Sequence, residues 1–138
     1  MKTVETRRVI HADPMAVWSA LTNPARLLAG GLGLLRLEGR IAQGEKIRLE
    51  SATAPGRVFT LTVAEATAPR MVWYSGIKAI FNGTRTFTVT PHPDGTDFHM
   101  VEVYKGLMLG LIWRSMPDMQ PGFDQFADGL KRLVEGKK

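Results

Sequence analysis

Residues 84–103 read TRTFTVTPHPDGTDFHMVEV, two alternating runs on either side of a proline- and glycine-containing turn. This is the pattern of a β-hairpin with one face buried. With His92 to Gly95 as a four-residue loop, Pro91 faces Thr96, Val89 opposes Phe98, Phe87 opposes Met100, and Arg85 opposes Glu102. One face is then apolar except for a single charge pair. The other carries Thr84, Thr86, Thr88 and Thr90 against Asp97, His99, Val101 and Val103, which suits a water-facing surface. Arg85 and Glu102 therefore point inward. Charges removed from water persist only when paired and hydrogen-bonded.

Upstream, the same period of two extends back to Leu34. Ile47 and Leu49 alternate with Lys46, Arg48 and Glu50; Phe59, Leu61 and Val63 alternate with Thr60 and Thr62; Met71 and Trp73 alternate with Val72 and Tyr74. Turn signals at Gln43-Gly44, Ala54-Pro55-Gly56, Ala68-Pro69, Asn82-Gly83 and Pro93-Asp94-Gly95 divide this region into six strands. A strand from Thr3 to Ala12 makes seven. Between the first strand and the rest, Asp13-Pro14 and Asn23-Pro24 each place a capping side chain before a proline suited to a first helical turn. They predict one helix through about Leu21 and a second ending after Ala29, where Gly30 and Gly31 supply positive φ angles.

Downstream the period changes again. Met116, Met119, Phe123, Phe126, Leu130 and Leu133 fall at helical spacing on one stripe. Asp118, Gln125, Asp128, Lys131, Arg132 and Glu135 make the opposite side, read as facing water, and Gly136-Lys137-Lys138 closes the helix. Pro117 suits a first turn, whereas Pro121 predicts a kink or a later helix start.

The chain has 138 residues, 44% apolar and 22% charged, the size and composition of one globular domain, 1–138. No apolar run approaches a membrane span, and MKTVETRR lacks the apolar stretch of a secretory leader, so a cytoplasmic protein is expected. The absence of cysteine excludes disulfides, thiolate nucleophiles, iron–sulfur clusters and Cys-rich zinc modules. A net charge of +5 raises nucleic-acid binding. The basic residues are scattered among acidic and polar neighbours, however, and no nucleic-acid partner is expected. His11, His92 and His99 share no metal-ligand spacing, so no metal is expected and no cofactor is implied. No serine has a Gly-x-Ser-x-Gly setting.

The order of strand, two short helices, six strands and a long amphipathic helix resembles the START-like (SRPBCC) superfamily, which includes polyketide cyclase-like and Bet v 1-like proteins. The likeness covers nearly the whole chain. Its most specific parts are VIHADPMAVWSALTNP at 9–24 and TDFHMVEVYKGLMLGLIWRSMPDMQPGFDQFADGLKRLVEG at 96–136, the latter similar to uncharacterised bacterial polyketide-cyclase-like proteins. The resemblance implies an α+β helix-grip fold, a curved seven-stranded antiparallel sheet around the C-terminal helix. It also implies a cavity between them that holds a hydrophobic small molecule in many relatives.

The residues expected to border that cavity are Trp73, Arg85, Phe87, Met100, Glu102, Tyr104, Met119 and Phe123. Arg85 and Glu102 read either as an internal salt bridge or as a polar anchor for an otherwise apolar ligand. The leading reading is binding or carriage of a hydrophobic small molecule of lipid, polyketide or aromatic type. The alternative is a cyclase- or dehydratase-like enzyme with Glu102 as acid/base, Arg85 beside it and His11 as a weaker candidate. A third is a protein-interaction module like the Hsp90-activator branch. The apolar stretch Gly106 to Trp113 reads as a lid over the pocket, an early helical start, or the contact of a homodimer.

Overall fold

Alternation and turn chemistry produce a single antiparallel sheet in the computed structural model, which describes residues 1–77 and 79–136. The strands are β1 (Lys2–Ile10), β2 (Leu34–Glu38), β3 (Lys46–Ser51), β4 (Phe59–Thr67), β5 (Arg70–Ile77), β6 (Phe81–His92) and β7 (Gly95–Lys105). Their order across the sheet is β1-β7-β6-β5-β4-β3-β2. The first two strands of the chain are thus its two edges, and helices α1 (Pro14–Leu21) and α2 (Pro24–Ala29) carry the chain between them. Helix α3 (Leu109–Ser115) follows the last strand, and α4 (Gln120–Glu135) packs on the concave face.

The predicted caps form. The Asp13 carboxylate accepts from the Met15 amide at 3.1 Å and the Asn23 side chain from the Arg26 amide at 3.2 Å. Only Gly31, with φ 74°, adopts the positive angle expected after α2; Gly30 keeps φ −85° as the cap residue. The β6–β7 register is the expected one, with Phe87 opposite Met100 and Arg85 opposite Glu102. Pairing runs one step further, to His92 opposite Gly95, so the loop narrows to Pro93 and Asp94.

Two expectations change, for Asn82-Gly83 and for Pro117, and two open readings are resolved. Asn82 and Gly83 are not a turn; they lie inside β6, paired with Gly76 and Ser75 of β5. Of the kink or later start predicted at Pro121, the later start forms: α4 begins at Gln120 with Pro121 in its first turn, where its missing amide costs no intrahelical bond, while Pro117, expected in a first turn, lies outside both α3 and α4 in the break at Met116–Met119. The stretch from Gly106 resolves as this separate α3, with Leu109 buried and Leu107 and Leu111 exposed. Gly136 caps α4 with φ 73°, while Lys137 and Lys138 lie outside the described residues.

The polar side of α4 is not simply a solvent face. Arg8 Nε donates to Asp128 Oδ1 at 2.7 Å, Thr6 donates to Asp124 at 3.0 Å, and Gln120 donates to the Glu5 carbonyl at 2.9 Å. Lys131 Nζ donates to the Val9 carbonyl at 2.6 Å, and Glu135 accepts from the His11 amide at 2.8 Å. The bond to Asp128 holds the Arg8 guanidinium above its ordinary pKa, against the opposing effect of burial. These contacts staple α4 along β1 and occupy backbone groups that an edge strand leaves open. The buried stripe of α4 meets the sheet through Phe126, whose ring centroid is 5.9 Å from that of Phe87, and through Leu130.

Candidate functional site

The sheet curves away from α4 on the side of β2 to β5, leaving a cavity of about 240 Å³ between them. Most of its wall is apolar, from Leu49 and Leu61 on the sheet, Ile112 of α3, and Met119, Phe123 and Phe126 around the start of α4. Its exposed lining residues, Thr53, Arg57, Phe59, Pro117 and Gln125, place the mouth between the β3–β4 loop and the α3–α4 joint with the first turns of α4.

Its polar end is built by strand register. Trp73 lies opposite Arg85, which lies opposite Glu102, so three inward side chains stand in one row across β5, β6 and β7, with neighbouring strands ~4.8 Å apart. Arg85 donates through Nε and Nη2 to the same oxygen, Glu102 Oε1, both at 2.8 Å. The other oxygen, Oε2, rests against Gly83, where a Cβ would collide with it. Gly83 is thus a close-approach glycine whose missing side chain makes room for a carboxylate. The guanidinium also lies over the Phe123 ring, 4.5 Å from its centroid, a cation–π contact tying the pair to α4.

Of the residues expected at the site, Trp73, Arg85, Met100, Glu102, Tyr104, Met119 and Phe123 all line this cavity. Phe87 does not. It sits beneath Trp73 in an edge-on contact with centroids 4.7 Å apart and is fully buried in the core. His11 is exposed beyond the end of β1, with Nδ1 3.2 Å from the Asp94 carbonyl oxygen, outside the cavity. Sequence reasoning missed the wall from β2 to β4, Leu34, Leu49, Phe59 and Leu61, and the closing contribution of Phe81. The alternation in β3 and β4 marked those inward residues, but only the curvature separates a cavity wall from packed core.

A buried phenol completes the polar end, whereas the indole N–H of the lining residue Trp73 is enclosed by protein and does not face the cavity space. The Trp73 indole N–H is buried without a hydrogen-bond partner among the described residues, an uncommon condition for a buried donor. The Tyr104 phenol is pushed well above its ordinary range, first by burial and then by the neighbouring Glu102 carboxylate, with Arg85 opposing. It therefore stays protonated. Because the folded value is raised, its contribution to stability is intact below the unfolded value of 10.0 and is lost as pH rises towards the folded one. Above about pH 10, wild-type stability is expected to fall more steeply than that of Tyr104→Phe, by at most ~1.4 kcal/mol per pH unit. Parallel urea-denaturation curves for the two proteins across that range would contradict a neutral buried phenol.

Comparison with known proteins fits this geometry. The family described as polyketide cyclase/dehydrase and lipid transport matches residues 1–135. Comparison with curated protein sequences gave no match. Among solved structures, a Mesorhizobium loti protein is 21% identical, with 99% of each chain covered and a TM-score of 0.75. A Chromobacterium violaceum protein is 22% identical, covering 98% of this chain and 99% of that one, with a TM-score of 0.73. Norcoclaurine synthase from Thalictrum flavum, solved in complex with dopamine and hydroxybenzaldehyde, is 14% identical, covering 99% of this chain and 88% of its own, with a TM-score of 0.72. At these identities the structures establish a shared helix-grip fold, and with the family match over nearly its whole length, the chain belongs to the polyketide cyclase/dehydrase and lipid transport family.

Proposed function

We propose that this protein binds or carries a hydrophobic small molecule in the cavity between sheet and α4, with its oxygen-bearing end held at the Arg85–Glu102 pair beside Tyr104. The observation that carries this reading is the cavity itself, about 240 Å³ of largely apolar wall with one charge pair and a phenol gathered at one end. Apolar walls supply the burial that drives binding, and a few convergent polar groups orient the ligand. The charge pair and the Tyr104 phenol favour a ligand with an oxygen-bearing end over a plain hydrocarbon. Displacement titration tests this. The neutral fluorophore N-phenylnaphthylamine is expected to brighten with the native protein and to be displaced by medium-sized aromatic ketones more effectively than by alkanes of equal size. No brightening would refute an accessible cavity.

A second reading rests on one contact, the Glu102 carboxylate beside the buried phenol of Tyr104 in the same cavity. It makes Glu102 an acid/base group for cyclisation or dehydration of a bound carbonyl compound. Turnover of a polyketide-like substrate that disappears in Glu102→Gln while fluorophore binding persists would favour this reading over simple carriage.

A further inference from the structure

The end of the molecule beside α3 carries apolar side chains that the cavity does not use. Ile80 is 48% exposed, Leu107 87%, Met108 41% and Leu111 64%. They form one patch because the Leu107 and Met108 amides donate to the Ala79 and Ile80 carbonyls, both at 2.9 Å, fastening the start of α3 to the turn before β6. Leu111 and Arg114 lie at helical spacing on the outer side of α3, and exposed Leu107 directly precedes its N-cap Met108. The inner side holds buried Leu109, cavity-lining Ile112, and Trp113, whose ring centroid is 5.1 Å from that of Tyr104. A single helix thus separates the cavity from the exposed patch.

The two chain segments that build this patch contain no acidic residue. Between Glu102 and Asp118 the chain has no acidic residue, and between Glu65 and Asp94 there is again none. Lys105 and Arg114 are exposed within the first of these segments. Lys2 is exposed next to them, since it pairs with Tyr104. A second copy docking here by two-fold symmetry would bring these cations together with no carboxylate from either segment to offset them, which opposes self-association. Apolar side chains flanked by cations instead match the surface of an anionic bilayer, where the side chains enter the headgroup boundary and the cations meet lipid phosphates.

We propose that this end, Ile80, Leu107, Met108 and Leu111 with Lys2, Lys105 and Arg114, is a docking surface for anionic lipid membranes. The surface stands apart from the cavity reading, because none of these side chains lines the cavity. Flotation with vesicles tests it. The wild-type protein is expected to float with phosphatidylcholine vesicles containing phosphatidylglycerol, to detach in high salt, and to float poorly with phosphatidylcholine alone.

Leu107→Glu/Leu111→Glu is expected to lower vesicle affinity at least about tenfold, and Lys105→Glu/Arg114→Glu to do likewise. Both should keep the far-ultraviolet circular dichroism and N-phenylnaphthylamine binding of the parent. Absence of vesicle binding, equal binding to neutral and anionic vesicles, or variants that float like the parent would overturn the proposal. So would a wild-type dimer that Leu111→Glu dissociates, since the patch would then be covered by a second copy. Loss of dye binding in the parent would remove the cavity reading and leave the vesicle result standing.

Discussion

Phe126→Ala is expected to lower the free energy of unfolding by about 3 to 5 kcal/mol. The ring is 3% exposed and lies between the stapled side of α4 and the Phe87 layer of the sheet, with the Phe87–Phe98 contact behind it at 6.5 Å. Truncation loses the transfer free energy of the ring and extends the neighbouring cavity inward, since Phe126 also forms part of that wall. Urea denaturation monitored by tryptophan fluorescence measures the effect. A loss below ~1 kcal/mol would mean that α4 does not dock through this face.

The second large effect concerns the charge pair. Arg85→Ala leaves the Glu102 carboxylate, 7% exposed, without the two donors that hold Oε1, and is expected to cost about 2 to 4 kcal/mol. The lower end of that range reflects water entering from the cavity. Replacing both residues, as Arg85→Met with Glu102→Leu, is expected to cost less than the single change, because no charge is then stranded. A double-mutant cycle by chemical denaturation measures the coupling. Additive costs would show that the pair is held apart in solution, and the proposed anchor would go with it.

Much of this architecture was readable because buried faces specify register. The threonine ladder from Thr84 to Thr90 identified the outer surface of β6, and with the turn at Pro93-Asp94 it fixed Arg85 opposite Glu102. Asp13-Pro14 and Asn23-Pro24 marked the two short helices through capping chemistry that is local in sequence. Other features depend on partners distant in sequence. Asn82-Gly83 has the composition of a turn, yet Gly83 is required by a carboxylate on the next strand. The polar residues of α4 resembled a solvent face because helical periodicity carries no information about an edge strand beside it. The placement of Phe87 under Trp73, away from the cavity, likewise follows from sheet curvature, which the alternation of β6 cannot express.

The concentration of α4's side-chain hydrogen bonds on one edge strand has a mechanical consequence. Side-chain bonds from Gln120, Asp124, Asp128, Lys131 and Glu135 hold the helix to β1 and its continuation at His11. On the far side the helix meets loops: Gly122 lies close to Thr53, and Gly129 closes on Gly31 and Leu32. The helix and β1 therefore act as a fixed jaw, and the strands from β2 to β4 as the compliant one. On the proposed function, a bulkier guest is expected to splay that wing outward and leave the charge pair on β6 and β7 in place, which would put breadth of ligand size and constancy of ligand orientation in different strands of one sheet.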